Sequence, residues 1–550
     1  MTTPLTGPAT PPVATNADDE SQYPHGFKLF LVTIALLSAM FLVSLDATIL
    51  ATAIPNITDH FHSLNDVGWY GGSYLFAVGA LQLLYGKLYT IYRIKSVFLV
   101  AVALFELGSL VAGVAPTSDA LIIGRTISGA GAAGILAGAI IIIGTSVPLR
   151  QRPIFTGVLS AVHGISSVIG PILGGVFTDH ITWRLCFLIN LPFGVITIVF
   201  LHFCLPQRPP KQLALPWNEQ IKQFDLPGTF CIVPSIISLL LALQWGGSVY
   251  PFNDGRIIAL FVLAGVFAIA FAGVEIWQGD NATLPGRIVK NKNILGGVWF
   301  GVFISGAILI FTYYLPIWFQ AIQGVSATQS GIRTLPTVLG LVLFSIIGGG
   351  AATALGQYVP LLIISSIVAS IGAGLLSTLK VDSTIGYWFG YQVLMAAGVG
   401  LGAQNVMLVG QVAVPHADMA MAISVMSFSQ TLSSSIFLAV AQAVFQNSLV
   451  STLRAKAPEI DPRDVINGGV TAIRRLVTAE QLPGVLQAYN SAIMQTIYIA
   501  VAASGLSIAG TFVMDWLSLK TEAETEKEES PPTTTNKNAT ADGASAKSES

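Results

Sequence analysis

The chain has 550 residues, of which 53% are hydrophobic and only 10% are charged, and its net charge is −2. Soluble domains usually carry about a quarter charged residues, so the composition excludes an ordinary soluble protein and indicates a polytopic membrane protein. The near-zero net charge gives no indication of a nucleic-acid partner.

Catalytic and cofactor signatures are absent from the sequence. It contains no GxxxxGK[ST] loop, no His/Cys metal cluster and no nucleophile elbow, which argues against an ATP-driven pump or a hydrolase. Cys186, Cys204 and Cys231 lie in or beside apolar segments without metal-ligand spacing and are predicted to be small core hydrophobes. We therefore expect no enzyme activity, no cofactor and no metal.

Both ends of the chain are polar. Residues 1–27 are rich in Pro and Thr, and residues 516–550 are rich in Glu, Lys, Thr and Ser. Such segments lack the apolar surface needed for a core, so two disordered cytosolic tails are predicted.

Between the tails, apolar windows long enough to cross a bilayer recur along the whole chain. We predict an all-α integral membrane protein with about fourteen transmembrane helices, at 28–53, 68–89, 96–115, 120–146, 154–178, 185–205, 226–245, 256–277, 294–319, 332–351, 359–379, 386–410, 420–447 and 490–515.

The basic residues of the short loops predict the orientation. With the N-terminus inside, eleven of them lie in the cytosol, and only Arg184 and Arg256 lie on the opposite side through the eighth span. The eleven are Lys87, Arg93, Lys95, Arg150, Arg152, Arg208, Lys211, Lys222, Arg287, Lys290 and Lys292. Both termini are therefore predicted to be cytosolic.

The spacing of the spans divides the chain into three parts. Residues 28–205 form one six-helix half, 206–293 form linkers and an inserted helix pair, and 294–515 form a second half with a long external loop at 451–489. Gln244 and Glu275 are the polar residues of the inserted pair, which we expect to be peripheral, with Glu275 reaching water.

Three ionisable residues lie within spans of the first half, where a charge is costly and usually faces a cavity or a partner. Asp46 and Arg125 lie about 10 and 8 Å below the same membrane face, at ~1.5 Å per residue, so they could pair. Alternatively, Asp46 caps a helix break, or the pair is a static salt bridge. Glu106, near the middle of the third span, is either a proton site or a neutral acid bonded to backbone.

The fifth span, from Ile154 to Asp179, is rich in small residues. Gly170, Gly174 and Gly175 would permit helix contacts too close for a Cβ atom, and Pro171 would bend the helix. This pattern suits a pivot between moving helices, although an ordinary Gly-rich span would show the same pattern.

These residues also carry a resemblance to a known family. Gly157, Ser166, Gly170-Pro171 and Gly174-Gly175 resemble the antiporter signature in the fifth helix of major facilitator superfamily exporters, which usually has Gly at the position of Ser166. Leu45-Asp46 with Thr48-Ile49 and Ile54-Pro55 resembles the first-helix motif of drug:proton antiporters. The six-plus-two-plus-six layout is similar to the fourteen-helix branch, which includes fungal multidrug and toxin efflux pumps.

The resemblance implies a proton-coupled exporter that works by alternating access. Arg125 would correspond to an arginine implicated in proton transfer, with Asp46 and Glu106 as the other proton-coupling candidates. Gly86, Arg93 and Lys95 are similar to the superfamily's cytosolic loop motif, but Thr90 stands where that motif normally has an acid, which puts a charge relay through that position in doubt.

The second half carries amides, hydroxyls and aromatic rings but no central charge. This composition suits the lining of a cavity for a large, uncharged or aromatic solute, although aromatic residues at helical spacing also pack cores. The lining candidates are Trp299, Phe303, Tyr313, Tyr314, Gln404, Asn405 and Gln430.

Together, the residues and the resemblance predict a proton-coupled efflux transporter for a small, largely apolar organic solute. The alternatives are proton-coupled uptake, including siderophore transport, and a non-transporting membrane sensor. The expected partners are the solute, protons and membrane lipid, with no nucleic acid. The expected form is a monomer in the plasma membrane, with a vacuolar or vesicle membrane as the alternative.

Overall fold

The computed structural model describes residues 26–62, 66–205, 225–247, 250–403, 405–460 and 477–519. The two predicted tails lie almost entirely outside these ranges, although Phe27 already begins the first helix. The only strand-like pairing in the described residues is an isolated bridge between Gly246 and Tyr250. The protein is therefore all-α, as predicted.

Fourteen long helices occur in the described chain. They are α1 (Phe27–Phe61), α2 (Val67–Ile91), α3 (Ile94–Gly113), α4 (Ser118–Ser146), α5 (Arg152–His180), α6 (Asn190–Cys204), α7 (Leu226–Trp245), α8 (Gly255–Gln278), α9 (Lys292–Ala321), α10 (Ala327–Leu355), α11 (Val359–Leu376), α12 (Ile385–Ala403), α13 (Met419–Lys456) and α14 (Leu482–Val513). Short helices at Leu185–Leu188 and Val406–Val412 extend the spans of α6 and α12.

Twelve of these helices are long and apolar enough to cross a membrane. The other two, α2 and α5, occupy the predicted second and fifth spans; α2 contains more Gly, Ser and Tyr, which lowers its hydropathy, and several side chains of α5 lie outside the described residues. The structure thus confirms a polytopic helical protein, with fourteen as an approximate count.

Glycines set the packing inside each six-helix half. On α3, a Cβ atom at Gly108 would lie 2.5 Å from Ser128 Oγ and 2.7 Å from the Gly124 carbonyl of α4. In the second half, a Cβ atom at Gly372 of α11 would lie 2.5 Å from the Met395 Cα atom of α12. Such distances are possible only without side chains, so small residues hold these helix pairs backbone to backbone.

The two halves meet through α5 with α10 and α2 with α13. A Cβ atom at Gly157 would lie 2.6 Å from the Ser345 carbonyl oxygen, and one at Gly86 would lie 2.8 Å from Ser424 Cβ. These contacts lie near the end of the bundle that carries the basic loops between α2 and α3 and between α4 and α5, which we call the basic end. We call the two contacts the seam.

Helix α8 of the inserted pair is peripheral, as expected, with most of its side chains exposed, whereas α7 contacts both halves. Helix α7 packs against α2 in a cluster of Phe76, Ile236 and Leu240, and Phe428 and Leu432 of α13 pack against the same cluster. Because α7 presents apolar side chains to both halves, it covers the α2–α13 part of the seam, whereas α8 packs mainly on α7.

Glu275, which was expected to reach water, is half-buried near the end of α8. The loop after α8 folds back, so that Glu275 accepts a hydrogen bond of 2.6 Å from the Leu284 amide. Buried Asp225 accepts bonds of 2.8 and 2.7 Å from the amide and hydroxyl of Thr283. Lys87 of α2 donates to a carbonyl of the same loop at 2.8 Å. The inserted pair is therefore tied to α2 at the basic end.

The external loop is shorter than the predicted 451–489. Helix α13 continues to Lys456 and α14 begins at Leu482, while residues 461–476 lie outside the described chain. Hydropathy detects only the apolar part of a helix, so polar turns that extend beyond the hydrocarbon region were assigned to the loop.

Candidate functional site

A buried ion pair joins α1 to α4. Arg125 Nη1 lies 2.5 Å from Asp46 Oδ2, and the two side chains are 1% and 0% exposed. The predicted pairing, based on equal depth in the membrane, is therefore present. Two charges so far from water are stable only when each is paired and hydrogen-bonded.

The remaining contacts of Arg125 come from α2 and from the turn before α6. Its Nε donates to the Tyr70 carbonyl at 3.0 Å. The guanidinium lies 4.4 Å from the ring centre of Tyr74 and 5.7 Å from that of Phe187. Aromatic faces attract a desolvated cation. These contacts fix Arg125 in one position behind α1.

Asn190, the first residue of α6, adds a polar link between the pair and α3. Its Nδ2 donates to Asp46 Oδ1 at 3.4 Å and to Ser109 Oγ at 3.1 Å. Asn190 is completely buried. In the sequence, the signal for Asn190 is an amide between two apolar helical segments. Its contact with Asp46 depends on the fold.

Glu106 lies on α3, one turn before Ser109. It is 8% exposed, and neither carboxyl oxygen has a hydrogen-bond donor among the described residues. Its carboxyl group packs against Gly194 of α6, where a Cβ atom would collide with it. Burying a charged carboxylate without a hydrogen-bond donor costs much more free energy than burying the neutral acid. This environment therefore favours the neutral form of Glu106. Glu106 does not contact Asp46 directly.

The motif residues of the fifth helix contact two different helices, α1 and α10. Ser166 Oγ donates to the Phe41 carbonyl of α1 at 3.4 Å, and Thr48 of α1 lies against Gly170. Gly157 instead forms part of the seam with α10. The close contact expected at Gly170 is therefore made to α1, within the same half.

The other three members of this motif differ from one another. Gly174 is buried, and the side chain of Pro171 lies outside the described residues. Gly175 has no atom within 4 Å of an added Cβ, so the expected close contact at this position is wrong. Five residues are about one and a half turns, so Gly175 lies on the opposite side of α5 from Gly170.

The cytosolic loop motif joins helices at the basic end. Gly86 lies in the seam, and Thr90, which replaces the family's acid, donates to the Gly86 carbonyl at 2.9 Å. Lys95 is buried and donates to the Leu205 carbonyl at 3.0 Å, which ties α3 to the end of α6. Arg93 precedes the first turn of α3.

The aromatic candidates of the second half make packing contacts. Trp299 donates to the Leu506 carbonyl at 2.8 Å, and its ring lies 4.9 Å from that of Phe303, which in turn lies 5.9 Å from that of Phe437. Tyr314 is 4% exposed, with its ring 5.4 Å from that of Phe445. Tyr313 of the same helix is 52% exposed.

The amide candidates lie on α12 and α13. Asn405 is buried and donates to the Leu401 carbonyl at 2.7 Å. Gln430 lies beside Gly301, and its Nε2 has no acceptor among the described residues. Gln404 lies outside the described residues.

An apolar groove of about 470 Å³ lies between α10 and α12. Its wall includes Leu339 and Leu343, which belong to the exposed apolar stripe of α10. The contact of α10 with α5 uses a different face, which carries Val342 and Ser345. The groove is therefore separate from both the ion pair and the seam.

Comparison with known proteins identifies the family. The family profile described as Major Facilitator Superfamily matches residues 36–438. The chain is 48% identical over 505 residues to the MFS-type transporter astH of Aspergillus oryzae, covering 92% of this chain and 90% of that protein. It is 48% identical over 489 residues to the efflux pump roqT of Penicillium rubens, covering 89% and 91%.

A solved structure supports the same fold. The human organic anion transporter MFSD10 superposes with a TM-score of 0.57 at 14% identity, covering 89% of this chain and all of the other. At this identity the likeness concerns the fold alone. The helical architecture, the extended sequence match and the fungal relatives together show that this chain is a multi-pass membrane transporter, not an enzyme, and belongs to the Major Facilitator Superfamily.

Proposed function

We propose that this transporter exports a small, largely apolar organic solute in exchange for protons, with Asp46 as the proton-binding group. The observation that supports this most directly is the buried pair of Asp46 and Arg125. Asp46 would then have two states. When it is charged it pairs with Arg125, and when it is protonated it no longer attracts Arg125. Glu106 is the second proton-binding candidate, because it is buried without a donor.

Protonation of Asp46 would act on the seam through α1 and α5. A proton on Asp46 removes the charge that attracts Arg125, which weakens the contact between α1 and α4. The opposite face of α1 holds α5, where Thr48 Oγ1 donates to the Ser166 carbonyl at 3.2 Å. Helix α5 in turn forms the seam with α10. A change at Asp46 therefore reaches the contact between the halves through one helix, α1.

The seam lies at the basic end, which the predicted topology assigns to the cytosol. The halves touch there through Gly157 with Ser345 and through Gly86 with Ser424. This arrangement corresponds to a state closed toward the cytosol, from which a solute would leave to the outside. The efflux pump among the relatives favours the same direction, and the plasma membrane is the membrane that makes such export useful.

The neutral interior of the second half favours an apolar solute. Its helices carry Tyr313, Gln430 and aromatic rings, and in the described residues their charges lie only near the helix ends. An ionised solute would gain little from such a surface, whereas aromatic faces bind apolar rings. The proposed working unit is a monomer, because Asp46, Arg125 and Glu106 all lie within one six-helix half.

The test uses purified protein in proteoliposomes with rhodamine 6G as the apolar probe. An imposed pH gradient should drive the dye against its concentration gradient in the wild type, and Asp46→Asn should abolish gradient-driven movement while leaving the protein folded. Asp382→Asn, in the loop between α11 and α12, is the matched control and should behave as wild type.

Wild-type coupling in Asp46→Asn would exclude Asp46 as the proton-binding group. Dye movement in the same direction as protons would favour uptake, and no movement of any probe would favour a sensor.

A further inference from the structure

His163 lies on the inner face of α5. Helix α5 packs against α1 through Ser166 and against α10 through Gly164. Ile154 and Ile172 are each nine residues from His163, which is two and a half turns, so they lie on the opposite face. Both are apolar and are 40% and 60% exposed, as expected of a face toward lipid. His163 therefore points away from lipid, into the space between the halves.

This inward position is open. The side chain of His163 is exposed, although the residue lies in the middle third of a helix that contacts neighbours on both sides. Beside it, α5 packs closely on apolar side chains of α10, because a Cβ atom at Gly164 would lie 2.6 Å from Val342 Cγ2 and 3.7 Å from Val338 Cγ1. The structure thus places an exposed imidazole at the space between the halves, which we call the cavity, and the α10 side chains that contact the neighbouring Gly164 are apolar.

One ring nitrogen is held and the other is available. His163 Nδ1 lies 2.7 Å from Ser44 Oγ of α1, which fixes the plane of the ring. Its Nε2 makes no hydrogen bond within the described chain. The tautomer set by Ser44 decides whether Nε2 donates or accepts, and an oxygen-bearing group can serve either role if it is a hydroxyl.

The position of His163 also relates it to the ion pair. Ser44 and Asp46 are two residues apart on α1, so they lie on nearly opposite faces of that helix. Ser44 faces α5 and the cavity, whereas Asp46 faces Arg125 of α4. One helix therefore separates the exposed imidazole from the buried pair.

We propose that His163 is a solute-binding residue that confers specificity, and that it binds, through Nε2, a hydroxyl oxygen of a flat, apolar solute packed on the α5–α10 wall. This inference rests on the proposed export function. It names the chemical class of the solute as an aromatic compound bearing a hydroxyl group. The first half then contributes both the polar contact to the solute and the proton site, on the two sides of α1.

The first experiment measures binding of a matched pair of probes to the purified full-length protein by isothermal titration calorimetry. The probes are alizarin, a dihydroxylated three-ring compound, and anthracene, a three-ring hydrocarbon without oxygen. His163→Phe should weaken alizarin binding about tenfold, the effect of one lost hydrogen bond, and leave anthracene binding unchanged. His163→Gln should retain most of the affinity for alizarin, because its amide nitrogen can occupy the place of Nε2. Ile165→Phe, on the lipid side, should match the wild type.

The second experiment measures access to position 163 without any solute. In a background with Cys204→Ala and Cys231→Ala, a membrane-impermeant thiol reagent should modify His163→Cys from the side opposite the basic end, and should leave Ile165→Cys unmodified. Absence of modification at position 163 would overturn its placement in the cavity. Unchanged preference for alizarin in His163→Phe, or no alizarin binding by the wild type, would overturn its role in binding. Normal binding without proton-driven transport would contradict the proposed function and leave this inference intact.

Discussion

The two six-helix halves share their backbone packing but differ in what they bury. Both bring a pair of helices into contact through glycine, at Gly108 in the first half and Gly372 in the second. The first half then buries an ion pair and a carboxyl group without a hydrogen-bond donor. The second half, within the described residues, has no charge in the middle of its helices and holds buried amides such as Gln392 instead.

The charges of the second half lie at its ends. Lys292 pairs with Asp515 at 2.7 Å, and Arg287 pairs with Asp418 at 2.9 Å, all near the basic end. The similar scaffold shows that central charges are not required to build a six-helix half. Their presence in only one half supports the proposed role in coupling, since a buried pair adds little stability over apolar residues.

The largest expected effect comes from breaking the central pair on one side. Arg125→Met leaves Asp46 buried without a cation, which should destabilise the protein by about 3–5 kcal/mol. The double variant Asp46→Asn with Arg125→Met should recover most of this stability, because no lone charge remains. Thermal unfolding of the purified proteins measures both, and neither variant should show proton-driven transport. Additive losses in the double variant would contradict the coupling of the two residues.

The seam between the halves should be the next most sensitive feature. Gly157→Val forces a side chain against the Ser345 backbone, and such overpacking costs about 1–3 kcal/mol in the closed state alone. The population closed at the basic end should therefore fall about tenfold or more. A reporter Ser424→Cys, buried in the seam, should then become reactive. Gly175→Val, in open space, is the control, and equal reactivity in both would argue against the role of Gly157.

A smaller effect is expected from a polar group of the second half. Gln392 accepts from Thr337 Oγ1 at 2.8 Å and donates to the Arg333 carbonyl at 3.0 Å. Gln392→Met removes both bonds and leaves the partners unsatisfied, at a cost of about 1–3 kcal/mol. The unfolding midpoint should fall while proton coupling persists. Loss of coupling at normal stability would place coupling chemistry in the second half as well.

The smallest effect is expected at the exposed end of the second half. Hydrogen bonds from Lys292 and Asn293 hold the pKa of Asp515 below its usual range. The stability this provides is present above the ordinary Asp pKa of about 3.9 and is lost as pH falls through the lowered value. Asp515→Asn should therefore cost under about 1 kcal/mol near neutral pH. Unfolding midpoints of the two proteins should approach each other as the pH falls below about 3.9 and converge below the lowered pKa, and a constant difference would contradict this account.

Long apolar segments and charged residues within them could be read directly from the sequence. Hydropathy located the spans because each must satisfy its own backbone in the bilayer, which makes the signal local. Asp46 and Arg125 were expected to pair because both lie at one depth. The error at Gly175 had a different origin, since a glycine's contact depends on the neighbouring helix and not on its own segment.

The sequence by itself determined the fold class, the number of long helices to within an approximate count, and the ionisable residues that must find partners inside the membrane. Only the tertiary structure decided which helices meet. It brought Asn190 to Asp46, laid α7 over the seam, and turned His163 inward next to Ser44. The physical reason is that burial in a bilayer is a property of one segment, whereas a hydrogen bond between helices requires two segments whose rotation and depth agree.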